Sequence, residues 1–192
     1  MAICEKLVAS DISANCSNPI FTGLEQVGYL FNKADIASVT KSANIVSAIS
    51  LKTDKRGYKV YQQGSTPFNG TNKEFVENAI SNKFTKTAQF IVLDDGPSVG
   101  ANIIDGLANG EFVLVVARKW NNTAGNAKFE IFGLEKGLKQ SAGTQDFNSE
   151  DTASGWQITL SEQNVPTSAI YFYVTSETAS RTALEALCTE GN

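Results

Sequence analysis

At 192 residues, with 42% hydrophobic and 19% charged side chains, the chain falls among folded globular proteins and outside the disordered class. A net charge of −4 and the absence of any histidine count against two broad functions. Duplex binding by counterion release needs many cations on one face, and the densest grouping, Lys52, Lys55, Arg56 and Lys59, is interrupted by Asp54. Without histidine there is no Ser-His or Cys-His nucleophile pair, and the commonest general base and metal ligand are missing.

A chain of this size buries roughly 70% of the surface its unfolded form exposes, so a core is expected without metals or disulfides. The three cysteines, Cys4, Cys16 and Cys188, are odd in number and lack metal-type spacing. They are expected to be reduced, partly buried thiols. The start, Met1-Ala2-Ile3-Cys4-Glu5-Lys6, lacks the basic and apolar regions of a signal peptide. No apolar run approaches the ~20 residues of a membrane helix, so synthesis in a cytoplasm and no membrane partner are expected. Asn-x-Ser/Thr triplets at Asn15, Asn69 and Asn121 are read as coincidences of composition.

In chain order, residues 1–23 read as an N-terminal arm, with Ile3, Leu7 and Val8 as a short helical stripe; a single domain is expected over 24–192. Val27–Phe31 and Ile45–Leu51 read as strands. A polar turn, Lys52-Thr53-Asp54-Lys55-Arg56-Gly57, and a polar strand from Tyr58 to Gln63 follow. Together they predict a long β-hairpin over 45–63 with a charged tip. Thr71 and Glu74 match a capping box, and Phe75, Val76, Ala79 and Ile80 follow at helical spacing, predicting a helix over 72–81. Phe84–Leu93 predicts a strand that becomes buried on both faces. Pro97 opens a predicted helix over 97–109, stopped by Asn109-Gly110. Phe112–Ala117 reads as a central strand, and Lys128–Leu134 as a half-exposed one. Gly143–Ser154 reads as a polar loop. Trp156–Leu160 and Ala169–Thr175 alternate as strands with one buried face. Ser176 or Thr178 caps a closing helix over 177–188, whose inner stripe is Ala183, Leu184, Leu187 and Cys188.

Candidate chemistry is sparse. Asp94-Asp95 at a strand end suggests a cation site, but acids before a helix also face its dipole favourably, and no third ligand is recognisable. Gly96-Pro97-Ser98-Val99-Gly100 lacks the Gly-Lys-Ser/Thr end of a phosphate loop. Glu130 and Glu135 could be imagined as a glycosidase pair, but Glu130 is placed on an outer strand face beside Lys128. Tyr58, Tyr61, Tyr171 and Tyr173 could stack on bases or sugars, although alternating aromatics in strands are more often core-edge or subunit-interface residues. No catalytic residue, metal ligand or cofactor is assigned.

The order and texture from residue 84 onward resemble bacteriophage tail tube proteins and the inner-tube proteins of contractile injection systems. The resemblance lies in the strand–helix–strand unit Gln89–Val116, the segment Lys128–Leu138, the polar stretch 143–154, the strand Gly155–Leu160 and the closing helix. It implies a mainly β (α+β) fold, a β-sandwich or half-barrel with flanking short helices that closes into a β-barrel ring on oligomerisation. It further implies a non-enzymatic virion protein whose copies form stacked, commonly hexameric, rings. These would contact other tail proteins and surround a channel through which DNA passes without specific binding. The 45–63 hairpin would then be the stacking loop, with Lys52, Asp54, Lys55, Arg56, Tyr58, Lys59 and Tyr61 as candidate inter-ring or inter-subunit contacts. A tail terminator or head–tail connector ring is the alternative within virions, and a small carbohydrate-binding or adhesin β-sandwich is a more distant one.

Overall fold

Alternation of buried and exposed side chains organises the chain into eleven strands among the described residues, 8–189 of the computed structural model. They are β1 (Leu24–Asn32), β2 (Ile36–Ser42), β3 (Ile45–Leu51), β4 (Tyr58–Tyr61), β5 (Asn72–Val76), β6 (Lys83–Val92), β7 (Phe112–Arg118), β8 (Phe129–Phe132), β9 (Lys139–Gln145), β10 (Trp156–Val165) and β11 (Ile170–Phe172). One sheet has the order β2-β3-β11-β8-β7-β1-β4, the other β5-β6-β10-β9. The fold is therefore mainly β, with two sheets that both remain open at their edges.

Period-2 alternation divides the larger sheet between two cores. Tyr29, Phe31, Val113, Val115, Phe129, Ile131, Ile170 and Phe172 face Leu184 of the closing helix. Leu30, Phe112, Leu114, Val116 and Phe132 instead meet Ala88, Phe90, Ile158 and Leu160 of the smaller sheet. The seven-stranded sheet is thus the middle layer of three. That position explains the uninterrupted apolar run of β7, which is covered on both faces.

The middle sheet is also curled. β1 and β2 stand sixth and first in its order but are joined only by the 3₁₀ turn Lys33–Asp35. Such a connection reaches about 14 Å at most, whereas five flat strand spacings need about 24 Å. The two ends of the sheet therefore converge, and Ile36, Val39 and Leu51 close onto the helix-side core.

Helices form where the caps and apolar spacing predicted two of them. Pro97–Asn109 is one helical run, with α1 (Pro97–Val99), a π turn over Gly100–Ile104 and α2 (Asp105–Asn109). The closing helix α3 (Glu177–Ala186) stops two residues before the expected end, and its Ser176 hydroxyl accepts a bond from Ala179 N–H.

Four expectations are corrected. The segment 72–81 is not a helix: Asn72–Val76 is strand β5, paired antiparallel with β6. The Thr71 hydroxyl accepts the Gln89 N–H instead of capping a turn. The 45–63 hairpin does not form either, since β3 is second and β4 last in the sheet order. The hairpin at this point is β2–β3, turning at Ala43 with φ 49°. Part of the expected loop 143–154 belongs to β9. β8 is buried rather than half-exposed.

The arm 8–23 has no regular element. Asn18 ties it to the body, donating to the Asn121 carbonyl and accepting from the Trp120 indole. Val8 is exposed and non-helical, and the rest of the expected Ile3–Leu7–Val8 stripe lies outside the described residues, as does Cys4. Cys16 is exposed rather than partly buried.

Candidate assembly surfaces

The residues expected to form a stacking hairpin form a strap instead. Residues 52–57 cross from the β3 side of the middle sheet to its β4 edge. The strap is held by Lys52 N–H on the Asp35 carbonyl (2.9 Å) and Gly57 N–H on the Leu187 carbonyl (2.7 Å). Lys55 lies 3.9 Å from Asp35, and the Arg56 guanidinium sits over the Tyr58 ring. Lys52, Asp54 and Lys59 are exposed, as are Tyr58 and Tyr61 on the edge strand β4. The structure therefore keeps these residues at one surface but gives them a different shape. Tyr171 and Tyr173 do not join them; three strands of the sheet order lie between β11 and β4.

The second surface is the smaller sheet, whose edges are β5 and β9. An open edge presents unpaired backbone groups and is a template for another strand. Beyond the end of β5, the flank of β6 is closed by side chains. Gln62 accepts from Ile91 N–H and donates to the Ile91 carbonyl, both at 2.8 Å, while Thr71 takes Gln89 N–H. β9 is a seven-residue strand whose only charge is Lys139 at its start, and the short helix α2 packs alongside it. On β5, Phe75 is 61% exposed, and Ile80 in the following turn is fully exposed. The face turned away from the core carries Thr85, Thr87, Gln89, Gln157, Thr159 and Ser161, uncharged and hydrogen-bonding, and by register Glu74, Lys83 and Lys139 at its margins.

Buried charges mark the interior behind this sheet. Lys86 and Glu162 are cross-strand partners on its inner face, 1% and 0% exposed. The Lys86 ammonium lies 3.8 Å from Glu162 and 3.5 Å from Glu135. Glu162 also accepts from Gly133 N–H and Lys136 N–H, fixing the turn that links the two sheets. Glu130 is buried, not on an outer face, and pairs with Lys73 of β5. Both glutamates once weighed as a glycosidase pair are thus held by lysines, Glu135 additionally by the Thr167 hydroxyl. The ionic layer was missed because Lys86 precedes the apolar stretch of β6 and Glu162 follows that of β10. Extending each strand's alternation by one step places both inside.

A second network ties α3 to the middle sheet. Glu25 accepts from Lys128 (2.6 Å) and Arg181 (2.9 Å), and Glu177 lies within 3.6 Å of both cations. Burial raises the Glu25 carboxyl, but the bonds and charges of Lys128 and Arg181 outweigh it and hold the carboxyl below its usual range. Its contribution is present above the unfolded value near 4.5 and is lost as pH falls through the lower folded value. Thermal unfolding followed from pH 7 to pH 3 is expected to show this loss in wild type, and Glu25→Gln should flatten that part of the profile. Burial likewise pushes the Cys188 thiol up to about 11.

At the Asp94-Asp95-Gly96 bend each carboxylate is spent locally. Asp94 accepts from Asp95 N–H; Asp95 accepts from Gly96 N–H and from the Gln145 amide. Those two donors, Gly96 first, hold the Asp95 carboxyl below its ordinary value. Among the described residues no group of three or more acidic or cysteine side chains is arranged to hold a metal ion. Nor is any helix among them long and apolar enough to cross a membrane. No family model matches the chain, and neither curated proteins nor solved structures give a significant match.

Proposed function

We propose that this chain is a structural subunit of a phage-type tail tube, made in a bacterial cytoplasm and built into the virion by self-assembly. The observation that carries the reading is the four-stranded sheet with two open edges on opposite sides, β5 and β9. β9 of one copy pairing with β5 of the next is a heterologous contact, which generates a ring when the rotation closes. Both edges of the smaller sheet would then be covered, and the four-stranded sheets of successive copies would join into one continuous barrel. The polar face centred on Thr85, Thr87, Gln89, Thr159 and Ser161 would line the channel. Its uncharged centre hydrates well and leaves cations, Lys83 and Lys139, only at the margins beside Glu74, which limits the hold on phosphates as DNA passes. α3 and the curled sheet would lie outside the channel. Six copies per ring is the number the tail-tube likeness implies.

The test is electron microscopy of the concentrated protein, with light scattering, on wild type and on Ala142→Lys/Thr144→Lys. Both positions are exposed on β9, so the monomer should melt within about 0.5 kcal/mol of wild type. Wild type is expected to give rings and stacked tubes, and the lysine variant to remain monomeric, because charges on an edge strand oppose pairing. Tubes that persist in the lysine variant would refute the β9–β5 joint. Discrete rings that never stack would move the assignment to a terminator or connector.

A further inference from the structure

The helical run Pro97–Asn109 is tied to β9 at both ends of the strand. At one end the Gln145 amide donates to Asp95 (3.1 Å), just before the run, and at the other the Lys139 ammonium meets Glu111 (2.9 Å), just after it. Between these clamps α2 packs alongside β9. Yet among the described residues no backbone hydrogen bond joins the run to the strand. The run therefore stands beside the edge without satisfying it. It is also thinly held. Leu107 is its only buried residue, Ile104 is packed in part, and Ile103 is 41% exposed. The half next to the Asp95 clamp buries no residue, and its π turn, Gly100–Ile104, is a rare geometry often met at functional positions. Gly96, at φ +122° with open space around it, forms a hinge that only glycine adopts without strain. Few buried contacts and a glycine hinge mark a segment that opens locally at low cost.

We infer that the run Pro97–Asn109 is a lid on the β9 edge, which holds the subunit back from pairing with β5 of the next copy until it opens from its Gly96 end. This rests on the tube reading and supplies the control of its lateral joint. An incoming strand has to lie about 4.8 Å from β9, whereas a helix with its side chains is about 10 Å across. Helix and strand therefore compete for the same edge. Leu107 anchors the far half of the run in the core between the sheets, so the lid frays from Gly96 rather than leaving altogether. The open form is a minor population, and the apparent affinity of one copy for the next falls by that fraction. Single subunits then persist at low concentration, and contact with an incoming β5 selects the open form.

The test uses the full chain and two readouts. The threshold concentration for rings is measured by light scattering and electron microscopy, and amide hydrogen exchange over residues 97–106 is measured in the single subunit. Two variants release the lid. Asp95→Ala/Glu111→Gln removes both clamps, and Gly96→Ala strains the hinge without bringing its new carbon within 4 Å of any neighbour. Gly100→Ala/Gly106→Ala tightens the lid, since both positions are helical with open space around them and alanine favours helix over glycine. Release is expected to speed exchange and lower the threshold about threefold to tenfold, and tightening to slow exchange and raise the threshold by a similar factor. A threshold that ignores all three variants overturns the inference and leaves the lateral joint standing. A threshold that rises on release also overturns it, because the run would then be part of the joint. Released variants that never assemble at their highest soluble concentration overturn the lid and the tube reading together.

Discussion

Lys86→Met is expected to cost about 3–5 kcal/mol of folding stability, because it strips a buried carboxylate of its counter-charge. Glu162 is fully buried and lies 3.8 Å from the Lys86 ammonium. The methionine fills similar volume, so the loss reports charge rather than packing. Adding Glu162→Gln should recover part of it. The amide retains an oxygen for Gly133 N–H or Lys136 N–H but no longer carries an unpaired charge between the sheets. Urea unfolding of the single and double variants, followed by Trp120 and Trp156 fluorescence, measures both. A Lys86→Met variant within 1 kcal/mol of wild type would mean the cluster finds its balance elsewhere.

Gly133→Ala is the second substitution with a large expected effect. Gly133 has φ +84°, and a Cβ there would stand 2.3 Å from the Phe112 carbonyl oxygen and 2.8 Å from Leu138 Cγ. The left-handed backbone alone costs an alanine about 1–2 kcal/mol, and the backbone oxygen cannot swing aside as a side chain would. A total loss of about 3 kcal/mol or more is expected. Because Gly133 N–H donates to Glu162, this turn and the ionic cluster share a partner. The combined Lys86→Met/Gly133→Ala variant should lose less than the sum of its parts. Additive losses in the same urea experiment would separate the turn from the cluster.

What the sequence made legible was local burial. The run Phe112–Ala117, the alternation at Trp156–Leu160 and the Ser176-capped helix stand where their periodicity puts them. What it concealed was partnership. Thr71 and Glu74 satisfy the spacing of a capping box, yet the Thr71 hydroxyl serves Gln89, eighteen residues on. β3 and β4 look like hairpin arms because a polar turn joins them, but each finds a different strand, β2 and β1. The candidate surface followed the same division. Tyr58 and Tyr61 are exposed as their polar neighbours implied, while the strap's course depends on the curl of the sheet, which no short window encodes. The Gln62 side chain that closes the flank of β6 had no signal at all beyond one amide in a polar stretch.

The parallel pairing of β11 with β3 has a consequence in time. Tyr171 and Phe172 insert beside Ile45 and Val46 and simultaneously beside β8. A strand from the last part of the chain thus completes a sheet begun in its first quarter. Closing so long a loop is entropically expensive and slow. During synthesis the β2–β3 hairpin waits, its inner side unfilled, until β11 and α3 leave the ribosome. The curl that brings β2 toward β1, and with it the setting of the strap, is therefore completed late. Nascent chains would acquire the finished strap surface only after β11 and α3, residues 170–186, have been made.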